Sequence, residues 1–551
     1  MKKLLLLTLV ALFVSFVSRA ANPAEEVRAV WLTTNSSLDW PSTGDEAKQK
    51  AELTALLDKL QAANFNTIIF QVQVKGDVAW ISEIQPAMYA LTKNGSKVLP
   101  YDVCSYVIEE CHKRNMECHA WIVPYRIGSD SEANKYASNP VKHPIVTHSK
   151  LCVTYGGAKY LDPGLPETIE YLLPLYRELV TGYDFDGINF DYTRYPGKDF
   201  DDAASFSKYG SGSKDDWRRN NVSSLVEAVY KMVKQIKPWM KVGAAPFGTY
   251  KNVQGFANQT AYYDVYQDAA GWMKEEFCDL LIPQEYWNER YGFSPNMQTW
   301  VNECAGRQLV IGLAPYKMVD TANNWEYTVI TDQIEKVRKN PGTSGVCFFR
   351  TDHVTGSEPK VIQLYNALKN DYFNTPAKIP VMSYLEVTSP NPPVNPALNG
   401  TTLSWGIPEL DKAGTPLRSF VIYKKSAGKI DTDNAESIVA IVNAKTTSLT
   451  VPDASAEYAV TTIDRNNCES LPSEMSSVGT VVSDNFGITV ADGIITVSYS
   501  GDDAVLTLHN AAGSAVAAAS GSTLDASYLN PGIYILSVKT AGSSAVRKIK
   551  L

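Results

Sequence analysis

Two acidic segments carry the residue types for bond cleavage. Asp191 closes the run Asp186-Gly-Ile-Asn-Phe-Asp191, and Glu285 lies within Ile282-Pro-Gln-Glu-Tyr-Trp287. Each follows a short apolar stretch of strand type. Two carboxyl groups facing one another across a sugar–sugar bond can protonate the leaving oxygen and attack the anomeric carbon or activate water. Asp191 is the leading candidate for nucleophile or base, and Glu285 for general acid. Asp77 and Asp352 stand in reserve. Asp186 begins the strand that Asp191 ends, so it is read as structural. An ion pair with Arg194 is the competing reading of Asp191.

The residues around these acids fit a hydroxyl-rich ligand. Sugar rings present apolar C–H faces and outward hydroxyls, and concave sites combine apolar surface with a few placed polar groups. Trp40, Trp80, Tyr125 and Trp287 are candidate platforms, although each alone also suits a core. Asp39, Lys75, Asp77, His119, Arg126, Arg194, Gln284, Tyr286 and Asp352 are candidate polar contacts. His119, His143, His148 and His353 lack metal-ligand spacing, so neither a metal nor a cofactor is expected.

These residues recur at the ends of strand-like runs. Strands are expected over 27–34, 67–75, 117–126, 186–194, 241–248, 280–287, 309–316 and 345–350. Between them lie amphipathic stretches such as 47–64, 101–114, 166–181, 220–237 and 331–339. Strand–helix alternation implies parallel pairing through crossover helices. The number of units fits an α/β fold, a (β/α)8 TIM barrel over 27–372, with a doubly wound open sheet as the competing topology. Catalytic groups in such a barrel sit at the C-terminal strand ends. Strand parity agrees. Ile68, Phe70, Val72 and Val74 share one face and suit the helix layer, whereas Gln71, Gln73 and Lys75 share the other. Ile188 and Phe190 likewise oppose Asn189 and Asp191.

The ends of the chain read differently. Lys2 and Lys3 precede an apolar run from Leu4 to Val17, followed by small residues near Ala20. This reads as a signal peptide over 1–20, since the run is shorter than the roughly 20 residues that span a bilayer. The mature chain is expected to be exported, to the periplasm, cell surface or medium, with no membrane span. The net charge is −8 and falls further once the basic leader is removed, which disfavours nucleic acid as a partner. An oligosaccharide or polysaccharide is the expected partner. The eight cysteines show no CxxC pair, and no pairing is predicted. Beyond a Pro-rich stretch at 389–396, short alternating strands predict two all-β sandwich modules, over 380–480 and 484–551.

Three resemblances refine this reading. Trp405 and Tyr458 resemble the core Trp and corner Tyr of fibronectin type III domains. The ending Leu529-Asn-Pro-Gly-Ile-Tyr-Ile-Leu-Ser-Val538 with Arg547-Lys-Ile-Lys-Leu551 is similar to C-terminal sorting modules of type IX secretion, beside a plain sandwich spacer. From about Val27 to Asn370 the chain resembles the glycosyl hydrolase-like 10 (DUF187) family. The blocks are Arg28-Ala-Val-Trp-Leu32 with Asp39-Trp-Pro41, Gln71-Val-Gln73 with Gly76-Asp77, His119-Ala-Trp-Ile-Val-Pro-Tyr-Arg126, Leu161-Asp-Pro-Gly164, Asp186-Gly-Ile-Asn-Phe-Asp191 with Arg194-Tyr-Pro196, Ala245-Pro-Phe-Gly248 and Ile282-Pro-Gln-Glu-Tyr-Trp287. That resemblance implies an exported bacterial glycosidase barrel acting on envelope or other bacterial glycans. It places Asp77, His119, Tyr125, Arg126, Asp191, Gln284, Tyr286 and Trp287 around the site. Lys75, Val123 and Glu285 stand where the family commonly has Arg, Asn and an apolar residue, so Glu285 reads as a local specialisation. The expected activity is hydrolysis of glycosidic bonds by paired carboxylates. The alternative is a glycan-binding or scaffolding barrel without chemistry.

Overall fold

The structure, a computed structural model, describes residues 22–474 apart from 96, 386, 412–413 and 426–429, and residues 487–551 apart from 499–503, 511–514 and 541–543. The expected leader lies outside the described residues. Eight parallel strands form the centre: β1 (Val27–Leu32), β2 (Thr67–Val74), β3 (Glu117–Ile122), β4 (Gly187–Asp191), β5 (Lys241–Ala245), β6 (Leu280–Leu281), β7 (Gln308–Leu313) and β8 (Gly345–Phe348). Each pairs with its sequence neighbour, and β8 pairs back onto β1 (Val27 opposite Gly345), so the sheet closes into a barrel.

Helices return the chain between strands: α1 (Glu46–Ala62), α2 (Val103–Lys113), α3 (Pro166–Gly182), α4 (Lys214–Ile236), α5 (Ala269–Lys274), α6 (Phe293–Glu303), α7 (Tyr327–Lys339) and α8 (Pro359–Ala367). Their starts are written locally. The carboxylates of Asp45 and Asp102 accept from the N–H of Lys48 and Ser105, and Pro166 opens α3. Helix α4 begins at Lys214, earlier than the hydrophobic pattern suggests, because Ser213 caps it and Asp215 and Asp216 favour its positive end.

Two apolar layers result. Phe70, Ile188, Phe190, Val242, Leu281 and Ile311 pack outward against the helices, whereas Ala29, Trp31, Ile69, Trp121, Ile282 and Val310 fill the lumen. Strand β6 is shorter than its apolar run. Pro283 has no N–H to give the ladder, and the chain turns at once, the Tyr286 N–H reaching the Gln284 carbonyl at 2.8 Å. Strand β2 breaks the expected parity. Its register against β3 shifts between Gln71 and Gln73, so Gln73 points into the helix layer instead of the lumen. It accepts from the Tyr176 hydroxyl at 3.0 Å and donates to Gln85 at 3.2 Å.

A seven-stranded sandwich follows the barrel. One sheet holds Val394–Asn399, Thr402–Gly406 and Ser448–Thr450; the other holds Ile438–Asn443, Leu417–Lys424, Tyr458–Asp464 and Ser473–Glu474. Trp405 is buried within it, and the Tyr458 hydroxyl donates to the Asp453 carbonyl at 2.8 Å. This sandwich belongs to the same compact unit as the barrel. Its turn after Asp464 plugs the N-terminal mouth: Arg465 pairs with Asp186 at 3.0 Å and Asp184 at 3.1 Å, and Asn467 donates to Glu117 at 3.0 Å. The second unit, residues 475–551, contains a three-stranded and a four-stranded antiparallel sheet around Ile495, Val497, Leu506, Leu508, Leu536 and Val538.

Candidate active site

Asp191 is the last residue of β4 and faces the lumen, as parity requires. Its carboxylate accepts from Trp121 Nε1 at 3.1 Å, Gln284 Nε2 at 3.0 Å and the Tyr192 N–H at 2.8 Å. Tyr192 adopts a left-handed conformation (φ 49°), which folds the chain back beside the carboxylate. Burial raises the Asp191 pKa above the ordinary carboxylate range; the Arg194 charge and the three donors oppose this without cancelling it. Arg194 forms no ion pair with Asp191 among the described residues. Its guanidinium lies over the Tyr192 ring at 4.4 Å and near Phe247 at 5.6 Å, with Nη1 buried and unpartnered.

An aromatic cluster surrounds this carboxylate. Phe349 meets Trp31, Trp121, Tyr286 and Tyr316 with ring centroids 5.8–6.4 Å apart. The Tyr286 hydroxyl is buried and unpartnered, and burial, then the Asp191 charge, push its pKa well up, so it remains a donor. Trp287 is half-buried against Phe247 and packs where Gly248 leaves space: a Cβ there would meet the Gln284 carbonyl at 2.1 Å and the Trp287 ring at 2.3 Å. Arg126 is half-buried and its charge reaches Tyr192. Phe349, Tyr316 and Phe247 were absent from the sequence-based candidates. An apolar ring at a strand end reads as core until a neighbouring polar group is located.

The remaining candidates fall elsewhere. Glu285 does not open toward Asp191. It is 0% exposed, both oxygens lack a partner, and burial alone raises its pKa well above the usual range, with no charged neighbour contributing. Trp40, Trp80 and Tyr125 present no face to a ligand; each is 1% exposed in the outer core, and the indoles donate to the Gln49 carbonyl and to Glu178. His119 is buried low in the lumen with its Nε2 2.9 Å from Glu117, which also pairs with Lys241 at 2.9 Å. That layer closes the barrel floor. Asp39 is a clasp, accepting from the Thr33 N–H at 2.9 Å, the Asp352 N–H at 3.1 Å and Arg350. Burial raises its pKa against those donors.

Two hollows flank the β1 loop. Asp352 is exposed at the edge of one of about 830 Å³, together with Asn324, His353 and Lys360. Lys75 and Asp77, just past β2, line the other, of about 310 Å³, with Asn35, Lys93, Lys135 and Tyr136. Lys75 pairs with Glu132 at 2.8 Å. Asp77 accepts from the Tyr136 hydroxyl and from the Tyr89 N–H at 2.9 Å, and burial raises its pKa to about 6.

Known proteins match this chain over the barrel. The model of the family described as "Glycosyl hydrolase-like 10" matches residues 26–329. "Glycosyl hydrolase YngK" of Bacillus subtilis (strain 168) is 31% identical over 69% of this chain and 78% of its own length. "Glycosyl hydrolase DigH" of Escherichia coli (strain K12) is 30% identical over 63% of this chain and 87% of its own. Among solved structures, an alpha-L-fucosidase isoenzyme 2 from Paenibacillus thiaminolyticus aligns over 63% of this chain and 49% of its own, at 13% identity and TM-score 0.41. With more than half the sequence covered by its model, the chain belongs to the glycosyl hydrolase-like 10 family.

Proposed function

We propose that this protein is an exported glycosidase that hydrolyses a bacterial envelope glycan or a related polysaccharide, with Asp191 as its catalytic carboxylate. The observation that carries the reading is the setting of Asp191. Trp121 and Gln284 orient it at the C-terminal end of β4. The Arg194 and Tyr286 polar atoms nearby are buried without partners. Buried donors need acceptors, and the hydroxyls and ring oxygen of a sugar supply them. Membership in a glycosyl hydrolase-like family supports the same chemistry.

The second carboxyl group must hold a proton at working pH. Glu285 does so, because burial raises its pKa well above the usual carboxylate range, whereas Asp77, at about 6, holds its proton only in mildly acidic solution. Glu285 acts only if the substrate uncovers it, whereas Asp77 already lines a hollow. We infer that the sandwich after the barrel is fibronectin-like and that the final module serves export or sorting, in keeping with the leader-like residues 1–20. No helix among the described residues is long and apolar enough to cross a membrane.

The test is product formation on a panel of purified glycan strands and oligosaccharides, followed by mass spectrometry. Asp191→Asn should lower kcat at least about 1,000-fold while the thermal midpoint holds. Comparable losses in Asp77→Asn or Glu285→Gln identify the acid. Glycan binding without product, unchanged by Asp191→Asn, would establish the non-catalytic alternative and end the hydrolase reading.

A further inference from the structure

We propose that the hollow between the ends of β1 and β2 is a subsite for a sugar residue bearing an anionic substituent, a carboxylate or sulfate, received by Lys93 and Lys135. The proposal rests on the glycan-directed reading above and names the class of sugar that reading leaves open.

The charge pattern carries it. The whole chain is acidic, at −8, yet this hollow gathers Lys75, Lys93 and Lys135. Lys75 is neutralised by Glu132 at 2.8 Å. The other two have no carboxylate within ion-pair distance among the described residues. Lys93 donates to the Ser37 hydroxyl and to the Pro41 carbonyl at 3.0 Å. Glu52 acts on it only at longer range, and burial lowers its pKa. Lys135 lies over the Tyr89 ring at 4.6 Å. Lys93, half-buried and held by neutral groups, is under-compensated, and Lys135 is exposed beside it, so an anion reaching both offers the larger gain.

The rest of the lining offers contacts for the ring. Asp77 Oδ2 is occupied by Tyr136 and Tyr89, whereas Oδ1 is buried and unpartnered, an acceptor for a sugar O–H or N–H. Val74, Met88 and Ala90 supply the apolar surface for a C–H face. The site is preformed, because Asn139 donates to the Gly95 carbonyl at 2.7 Å and fastens together the segments carrying Lys93 and Lys135. At about 310 Å³ the hollow is at the small end of ligand cavities, a size for one sugar residue.

Binding to the full-length Asp191→Asn protein separates this proposal from turnover. The probes are matched oligosaccharides carrying a uronic acid, a lactyl-ether carboxylate or an O-sulfate, and a carboxyl-reduced neutral counterpart, measured by titration calorimetry. At least one anionic probe should bind about tenfold more tightly than the neutral one in low salt. That preference should shrink at least about fivefold in Lys93→Met/Lys135→Met, and in Lys135→Gln alone, with neutral binding unchanged. Which anion is favoured distinguishes carboxylate from sulfate recognition. Equal binding of charged and neutral probes, a preference that survives the lysine substitutions, or no binding at all would overturn the subsite. Loss or retention of turnover by Asp191→Asn in the hydrolysis assay bears only on the glycosidase reading.

Discussion

Asp191 shows how neighbours tune a single group. Burial favours its neutral form, and the Gln284 and Trp121 donors restore part of its acidity. Replacing Gln284 with Met removes one donor and leaves the lumen dry, so the Asp191 pKa should rise further. The acid limb of kcat/KM then moves to higher pH, an effect that a generally unfolded variant would not show; an unmoved limb would deny Gln284 this positioning role. Asp77 yields a stability prediction. Its folded pKa of about 6 lies above the 3.8 of an ordinary aspartate. The stability it contributes is therefore present below about pH 4 and lost as pH rises through 6. Asp77→Asn can keep the Tyr136 and Tyr89 hydrogen bonds and should stabilise the protein at pH 7.5 by up to about 3 kcal/mol, with the gain falling below about 1 kcal/mol at pH 4. Denaturant titrations at the two pH values check it. Equal effects at both would show that Asp77 ionises freely.

At the scale of elements, the site depends on how β5 and β6 end. Pro246 and Pro283 each withhold an N–H from the ladder, which continues only as single parallel bridges, Phe247 opposite Gln284 and Gln284 opposite Gly312, before the chain carries Tyr286 and Trp287 to the barrel mouth. Gly248 is the contact between the two segments. In Gly248→Ala the new methyl would overlap the Gln284 carbonyl, and relief must come from moving the residue that orients Asp191. We expect a loss of about 1–3 kcal/mol in stability, as for other overpacked sites, with a larger proportional loss in kcat than in KM. Unchanged kcat with lowered stability would mean that the strand end yields without disturbing Asp191. The shift in β2 belongs to the same scale. One residue slipped between Gln71 and Gln73 sends Gln73 among the helices while Gln71 stays with the β1 loop, where it accepts from the Thr33 hydroxyl at 2.7 Å.

Across the first compact unit, barrel and sandwich are joined by charges that neither could leave buried alone. Arg465 and His112 hold Asp186 well below the usual carboxylate range, against the cost of burial. The folded pKa is depressed, so this stability is present above about pH 4 and lost as pH falls. Arg465→Met should cost roughly 3 kcal/mol at pH 7, because a buried carboxylate loses its partner, and less near pH 3. Barrel and sandwich should also melt in one calorimetric transition, and a chain cut after residue 380 should expose Glu117 and Asp186 and lose that cooperativity. Two separate transitions would show that the sandwich is an independent appendage.

The period-2 and helical patterns determined by themselves the strands, the helices and their parallel pairing, since they record which face of each element is withheld from water; closure into a barrel, against an open doubly wound sheet, was decided by the pairing of β8 with β1. The patterns also placed Asp191, because parity and the end of a strand are local properties. Partnership across space was decided only by the tertiary structure. Trp40, Trp80 and Tyr125 carry the residue types of sugar platforms, but packing seals them in the core. Glu285 is acidic and near a strand end, but a turn after Pro283 buries it. Gln284, Phe349 and the lysines of the β2 hollow acquire meaning from neighbours distant in the chain. An acid's environment is a sum over atoms that folding assembles, and local pattern contains none of those distances.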